Sequence, residues 1–149
     1  MEPTPALAQI NIVVRDMERA VAFYRLLGLA VEDTVAPWQP HHRRLGPTPD
    51  GVDADLDSAA FAARWDRSWP PARSGVVVGV RVASRAAVDD VYATVTSQGH
   101  RGQQEPYDAF WGVRFAVVED ADGNAIGIIS PPDESRRSGP PNPPDVPAR

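Results

Sequence analysis

The chain has 149 residues, enough for one domain that buries roughly 70% of the surface its unfolded chain would expose. It contains no cysteine and all 15 basic residues are arginine, which excludes disulfides, thiolate chemistry, sulfur-rich metal sites, lysine Schiff bases and lysine-dependent phosphate loops. A net charge of −5 with acids and arginines interspersed offers no footprint for nucleic acid, and neither a bilayer-length apolar run nor an export-type start is visible, so a cytoplasmic protein with no membrane partner is expected.

Residues 1 to 8 read as a lead-in. The period-two alternation that follows predicts a strand over Gln9 to Arg15, with Ile10, Ile12 and Val14 on one face and Gln9, Asn11 and Val13 on the other. Asp16 caps a helix over Met17 to Leu27, and Gly28 supplies its left-handed end; Met17, Ala20, Val21, Tyr24 and Leu27 form a stripe that should lie on Ile10, Ile12 and Val14. Leu29 to Val35, His41 to Leu45 and Val52 to Leu56 are shorter strands, punctuated by Pro37, Pro40, Pro47 and Pro49. Residues 59 to 74 form a linker with a short capped, alanine-rich helical turn.

The second half repeats the design. A strand over Gly75 to Val82 leads to a helix over Arg85 to Gln98, then strands near His100 to Gln104, Phe110 to Val118 and Ala125 to Ile129. The last two are joined by the turn Ala121-Asp122-Gly123-Asn124. At a constant offset, Ile10, Ile12 and Val14 fall on Val78, Val80 and Val82, Asp16 falls on Ser84 and Tyr24 on Tyr92. The fold class is therefore α+β, built as strand, helix and three strands, twice: module 1 over about 8–58 and module 2 over about 75–130, in a single domain ending near 131. Seven of the 16 prolines lie between Pro131 and Pro147, so residues 132–149 are expected to form an extended or disordered tail.

RDMERAVAFYRLLGL after the first strand and YDAFWGVRFAVVEDADGNAIGIISP at the end carry a resemblance to the vicinal oxygen chelate superfamily, which contains glyoxalase I, bleomycin-resistance proteins and extradiol dioxygenases. It spans about residues 8 to 131. Ala121 stands where the family's closing turn usually has proline. The resemblance implies two βαβββ modules that curl into a cup with helices outside, often completed by a homodimer. It also implies a divalent ion held from the first and last strand of each module. Those positions are Gln9, Asp55, Val77 and Gly127, of which only Gln9 and Asp55 carry a donor. A catalytic ion normally needs about three protein ligands, so no metal cofactor is expected; if one is present, Gln9 and Asp55 are its ligands. His41 and His42 are adjacent and point to opposite faces of a strand, and with His100 they read as loop or surface histidines.

The concave face would then present Gln9, Asn11 and Asp55 with Arg81, whose fork either meets a guest's carboxylate, phenolate or carbonyl or pairs with Asp55. Gly79 and Gly127 leave bare backbone there. Tyr107, Phe110, Trp111 and Arg114 form an aromatic and cationic run whose rings are candidate walls for a planar ligand. Trp38, Trp65 and Trp69 are candidates to cover the mouth. The expected partner is thus a small, partly planar organic molecule, an antibiotic or secondary metabolite bound without metal, in a bacterial protein of arginine-rich, lysine-free composition. The alternative is a metal-dependent lyase, isomerase or dioxygenase using Gln9, Asp55 and a donor such as His41, His42 or Glu105. A third reading has Asp55 as a metal-free general base, which requires a raised pKa.

Overall fold

A computed structural model of the chain describes residues 3–26, 29–71, 73–119, 121 and 123–144. Leu27, Gly28, Asp122 and the tail beyond 144, on which parts of the sequence reading fall, lie outside them. The alternating segment at the start forms β1 (Ala6–Val14), and Asp16 caps α1 (Met17–Leu26) by accepting the Arg19 amide at 3.1 Å. Next come β2 (Ala30–Val31), a 3-10 turn at Ala36–Trp38, β3 (His42–Gly46) and β4 (Asp53–Ser58). The linker folds as α2 (Ala59–Trp65). The second module contributes β5 (Gly75–Arg81), α3 (Arg85–Ser97), β6 (Gly102–Asp108), β7 (Arg114–Glu119) and β8 (Ala125–Ile129).

The eight strands form one curved mixed sheet in the order β2-β3-β4-β1-β5-β8-β7-β6. The duplication is visible in the pairing. β1 runs parallel to β4 as β5 runs parallel to β8, and the modules meet within the chain where β1 and β5 pair antiparallel, Ile10 opposite Val78 and Gln9 opposite Gly79. α1 and α3 cover one face: Met17 and Val21 pack with Leu45, Ala54 and Leu56, and Val88 packs with Val82, Ala116, Val118 and Ile128. Ile12 and Val14 join the first cluster as expected, but Ile10 remains 39% exposed, because α1 covers module 1 and stops short of the central strands.

α2 lies on the opposite, inner face, a placement not expected of a linker. Its Phe61, Ala62 and Trp65 pack with Val13, Val77, Val117, Ala125 and Ile129, and with Trp38 and Trp69. Ser58 starts the helix by accepting the Phe61 amide at 3.0 Å. With alanines on the sides and rings on one stripe, this short helix is apolar enough to seat itself in the concavity.

β1 begins at Ala6, within the stretch read as a lead-in, and three further elements differ from the sequence reading. The strand expected over Leu29 to Val35 shortens to Ala30–Val31, since Thr34 turns its hydroxyl to the His42 carbonyl and accepts the Gln39 amide group at its own carbonyl. The strand expected over Phe110 to Val118 begins only at Arg114, because Ala109 to Val113 close a tight turn with Gly112 at φ 92°. β6 extends to Asp108 through Pro106, which an edge strand tolerates. The described part of the tail carries a 3-10 turn at Glu134–Arg136 and is hydrogen-bonded to the domain. Asp133 and Ser138 donate their amides to the carbonyls of Gly112 and Phe110, and Arg64 donates to the Asn142 carbonyl. Proline removes donors, but these intervening residues keep theirs.

Candidate functional site

The inner face of module 1 is polar and that of module 2 is apolar, although the two share one topology. On β4 the alternation Asp53, Asp55, Asp57 sets three carboxylates on the face that β1 lines with Gln9, Asn11 and Val13, and the parallel register places Gln9, Asn11 and Val13 opposite Asp53, Asp55 and Asp57. Gln9 Nε2 donates to Asp55 Oδ2 at 3.0 Å. Asn11 Nδ2 donates to Asp57 Oδ2 at 2.9 Å, and His42 Nδ1 meets Asp57 Oδ1 at 2.7 Å. Arg44, opposite Asp55 on β3, holds its Nε 3.9 Å from Asp55 Oδ1. That oxygen is buried and has no hydrogen-bond partner among the described residues.

The electrostatics follow from burial. Asp55 is 6% exposed, and desolvation, helped by the charge of Asp57, pushes its carboxyl up to about 6 against the opposing pull of His42, Gln9 and Arg44. For His42, burial opposes the charged ring, yet the hydrogen bond and charge of Asp57, with Asp55 behind it, leave its pKa raised. His42 is one-third exposed, so its other ring nitrogen belongs to the accessible side of a buried Asp–His pair.

Module 2 fills its own concavity. Val77 is 1% exposed in the aromatic cluster, and Trp65 packs against both Trp69 and Phe115. Tyr107 is drawn into this cluster as well; it donates its hydroxyl to the Trp65 carbonyl, and burial raises its pKa. Phe110 and Trp111 sit at the tip of the β6–β7 hairpin in edge-on contact, Phe110 near Trp38 and Trp111 near Phe115. The rings proposed as walls are therefore brought together, but packed on one another. Trp38, Trp65 and Trp69 are 8%, 4% and 3% exposed and belong to the core.

Arg114 faces the other side of the sheet. Its guanidinium grips Asp89 of α3 through Nε at 3.1 Å and Nη2 at 2.8 Å and reaches Asp108 at 3.2 Å. The hydrogen bonds that Arg114 donates to Asp89 outweigh burial and raise the arginine's pKa. Arg81 faces neither Asp55 nor any other acid within ion-pair reach among the described residues. Of the eight residues predicted for the site, Gln9, Asn11 and Asp55 stand together, Tyr107, Phe110 and Trp111 form a separate cluster, and Arg81 and Arg114 lie apart from both. Asp57 and Arg44 were missed, and His42, read as a loop or surface residue or an alternative ion donor, pairs instead with Asp57. The Asp-x-Asp-x-Asp alternation of β4 was the signal available for Asp57.

The four ion positions implied by the family do not fit an ion here. Val77 offers no lone pair, and a Cβ added at Gly127 would meet Phe115 Cε2 at 3.0 Å. That leaves Gln9 and Asp55, whose Nε2 and Oδ2 are bonded to each other, and two donors are fewer than the three protein ligands a catalytic ion needs. No group of three or more His, Asp or Glu able to hold an ion occurs among the described residues.

Solved structures share this fold. Protein BH1468 from Bacillus halodurans superposes with a TM-score of 0.59 at 16% identity, covering 89% of this chain and 98% of that one. The Mn(II)-bound glyoxalase from Novosphingobium aromaticivorans gives 0.59 at 17% identity, over 87% of this chain and 40% of that one. Methylmalonyl-CoA epimerase from Mycobacterium tuberculosis gives 0.57 at 20% identity, over 87% and 89%. No curated protein matches the sequence. The model of the Glyoxalase/Bleomycin resistance protein/Dioxygenase superfamily matches residues 6–128, most of the chain. With its paired βαβββ modules, the chain belongs to that superfamily.

Proposed function

We propose that the protein binds a small, partly planar organic molecule on the polar inner face of module 1, without a divalent ion. The observation that carries this reading is the buried Oδ1 of Asp55, which accepts no hydrogen bond among the described residues and has Arg44 Nε 3.9 Å away, with Gln9, Asn11 and the Asp57–His42 pair around it. Leaving such an oxygen unsatisfied costs about 1–3 kcal/mol, and a guest that donates an N–H or O–H to it removes that cost. The guest class is therefore a polar ring compound with a donor at its edge, and sequestration of an antibiotic or other bioactive metabolite is the biological form of the proposal. The mismatch at Val77 and Gly127 supports binding by hydrogen bonds over binding through an ion.

Two measurements on the purified protein test this. Native mass spectrometry should give the bare polypeptide mass, and a thermal-shift screen of aromatic amines, amides and phenols should yield hits that Asp55→Asn abolishes. A stoichiometric divalent ion that is lost in Asp55→Ala would instead favour the metal-dependent lyase, isomerase or dioxygenase reading, in line with the Mn(II)-bound glyoxalase among the structural neighbours.

A further inference from the structure

Arg81 ends β5 opposite Ala6 of β1 and Ile129 of β8, beside a register shift in β1 between Leu7 and Gln9. There it lines an open groove of about 340 Å³ whose walls include Pro3, Leu7, Val82, Ala83 and Pro131. Its Nε is buried and unbonded, and no hydrogen bond or ion pair to Arg81 occurs among the described residues. A guanidinium that has lost part of its hydration and gained no partner is costly to keep. Most other partly buried arginines here are engaged: Arg43 with Glu18 and Asp33, Arg114 with Asp89 and Asp108. Among the described residues Arg81 has no such partner and stands beside largely apolar walls.

We propose that this groove is a second binding site, distinct from the Asp55 face, for a small monocarboxylate with an apolar body. The planar fork of Arg81 matches two carboxylate oxygens, and Leu7, Val82 and Pro131 cover the hydrocarbon part. Asp50 also lines the groove, out of ion-pair reach of Arg81. Its charge disfavours a compact dianion such as phosphate, while a single carboxylate held at the fork needs little of that space.

Benzoate titrated into the full chain near neutral pH, followed by amide NMR shifts, tests the proposal. Saturable one-to-one binding is expected, with shifts at Ala6, Leu7, Arg81, Val82 and the Asp50–Gly51 turn. Affinity should fall about tenfold or more in Arg81→Gln. Benzamide, which lacks the charge, and inorganic phosphate should bind wild type more weakly than benzoate. Asp55→Asn should leave benzoate binding intact, so failure of the Asp55 reading leaves this one standing. If Arg81→Gln does not fold, Leu7→Asp carries the test, since Leu7 is 66% exposed and a carboxylate there should repel benzoate comparably. Absence of saturation in wild type, equal affinity in the variant, or phosphate binding tighter than benzoate would overturn the proposal.

Discussion

At the scale of single residues, Asp55 sets a sharp expectation. In the fold its carboxyl ionises at about 6 against 3.8 for the free group, so between those values the native state keeps a proton that the unfolded chain has released. Stability then falls as pH rises from about 4 to about 6 and stays reduced above that. The full penalty is about 3 kcal/mol. Asparagine still accepts from Gln9 Nε2 but carries no charge, so Asp55→Asn should raise the melting temperature by several degrees near neutral pH and flatten the pH slope in that window. An unchanged slope would show that another group holds the proton. Gly79 is the opposite case, since a Cβ there would lie 2.7 Å from Gln9 Cβ and 2.8 Å from Ile129 Cδ1. The isoleucine tip can turn aside, whereas Gln9 Cβ is fixed by its strand. Gly79→Ala should therefore cost about 1–3 kcal/mol, read as a lower urea midpoint with unchanged m-value. Period-two alternation on β1 is local and picked out Gln9 and Asn11, while Asp55 came from the family resemblance. The sequence named His42 only as a possible ion donor and not as the partner of Asp57, because that pairing depends on β3 lying beside β4. Nor did it show that Arg114 faces α3, because the residue's strand begins four positions later than its hydrophobic pattern suggests.

At the scale of elements, those with strong periodicity and a cap were legible: α1 and α3 fall within one residue of their expected ends, and β8 at Ala125–Ile129 matches. The sheet edges were not, because there the ladder competes with local side-chain bonds such as that of Thr34 and with turn closure at Gly112. α2 was half legible. Ser58 marks its start, but nothing local says that its rings turn into the concavity, a consequence of the sheet's curvature and of the depth left by Val77, Gly79 and Gly127. Ser58 also holds His41 Nδ1 at 2.8 Å, so one hydroxyl serves both the helix cap and a buried imidazole. Ser58→Ala should cost about 2 kcal/mol, about 1 for the cap and about 1 for the bond to His41, and the second part should disappear when the same change is made in a His41→Phe background. Equal costs in both backgrounds would show that the hydroxyl acts only as a cap.

At the scale of the whole molecule, the two modules have diverged in what fills their shared shape. Module 2 has converted its half of the concavity into hydrophobic core with Trp65, Trp69, Tyr107 and Phe115, while module 1 keeps a floor of amides, carboxylates and an imidazole. The two modules share one topology, and this difference in side chains sets their inner faces apart. The tryptophans report the division directly. Trp38, Trp65 and Trp69 are nearly inaccessible, while Trp111 at the hairpin tip is partly exposed. Iodide, a charged quencher that does not enter cores, should therefore reach Trp111 and little else. Trp111→Phe should remove most of the quenchable fluorescence and leave the emission of the other three at the blue wavelength of buried indoles. A guest held at Asp55 should leave that quenching profile unchanged, because the described hydrogen bonds and ion pairs around Asp55 involve Gln9, Asn11, His42, Arg44 and Asp57 and not Trp111. If quenching persists undiminished in the variant, α2 does not stay seated in the concavity in solution, and the inner face is then open on the module 2 side as well.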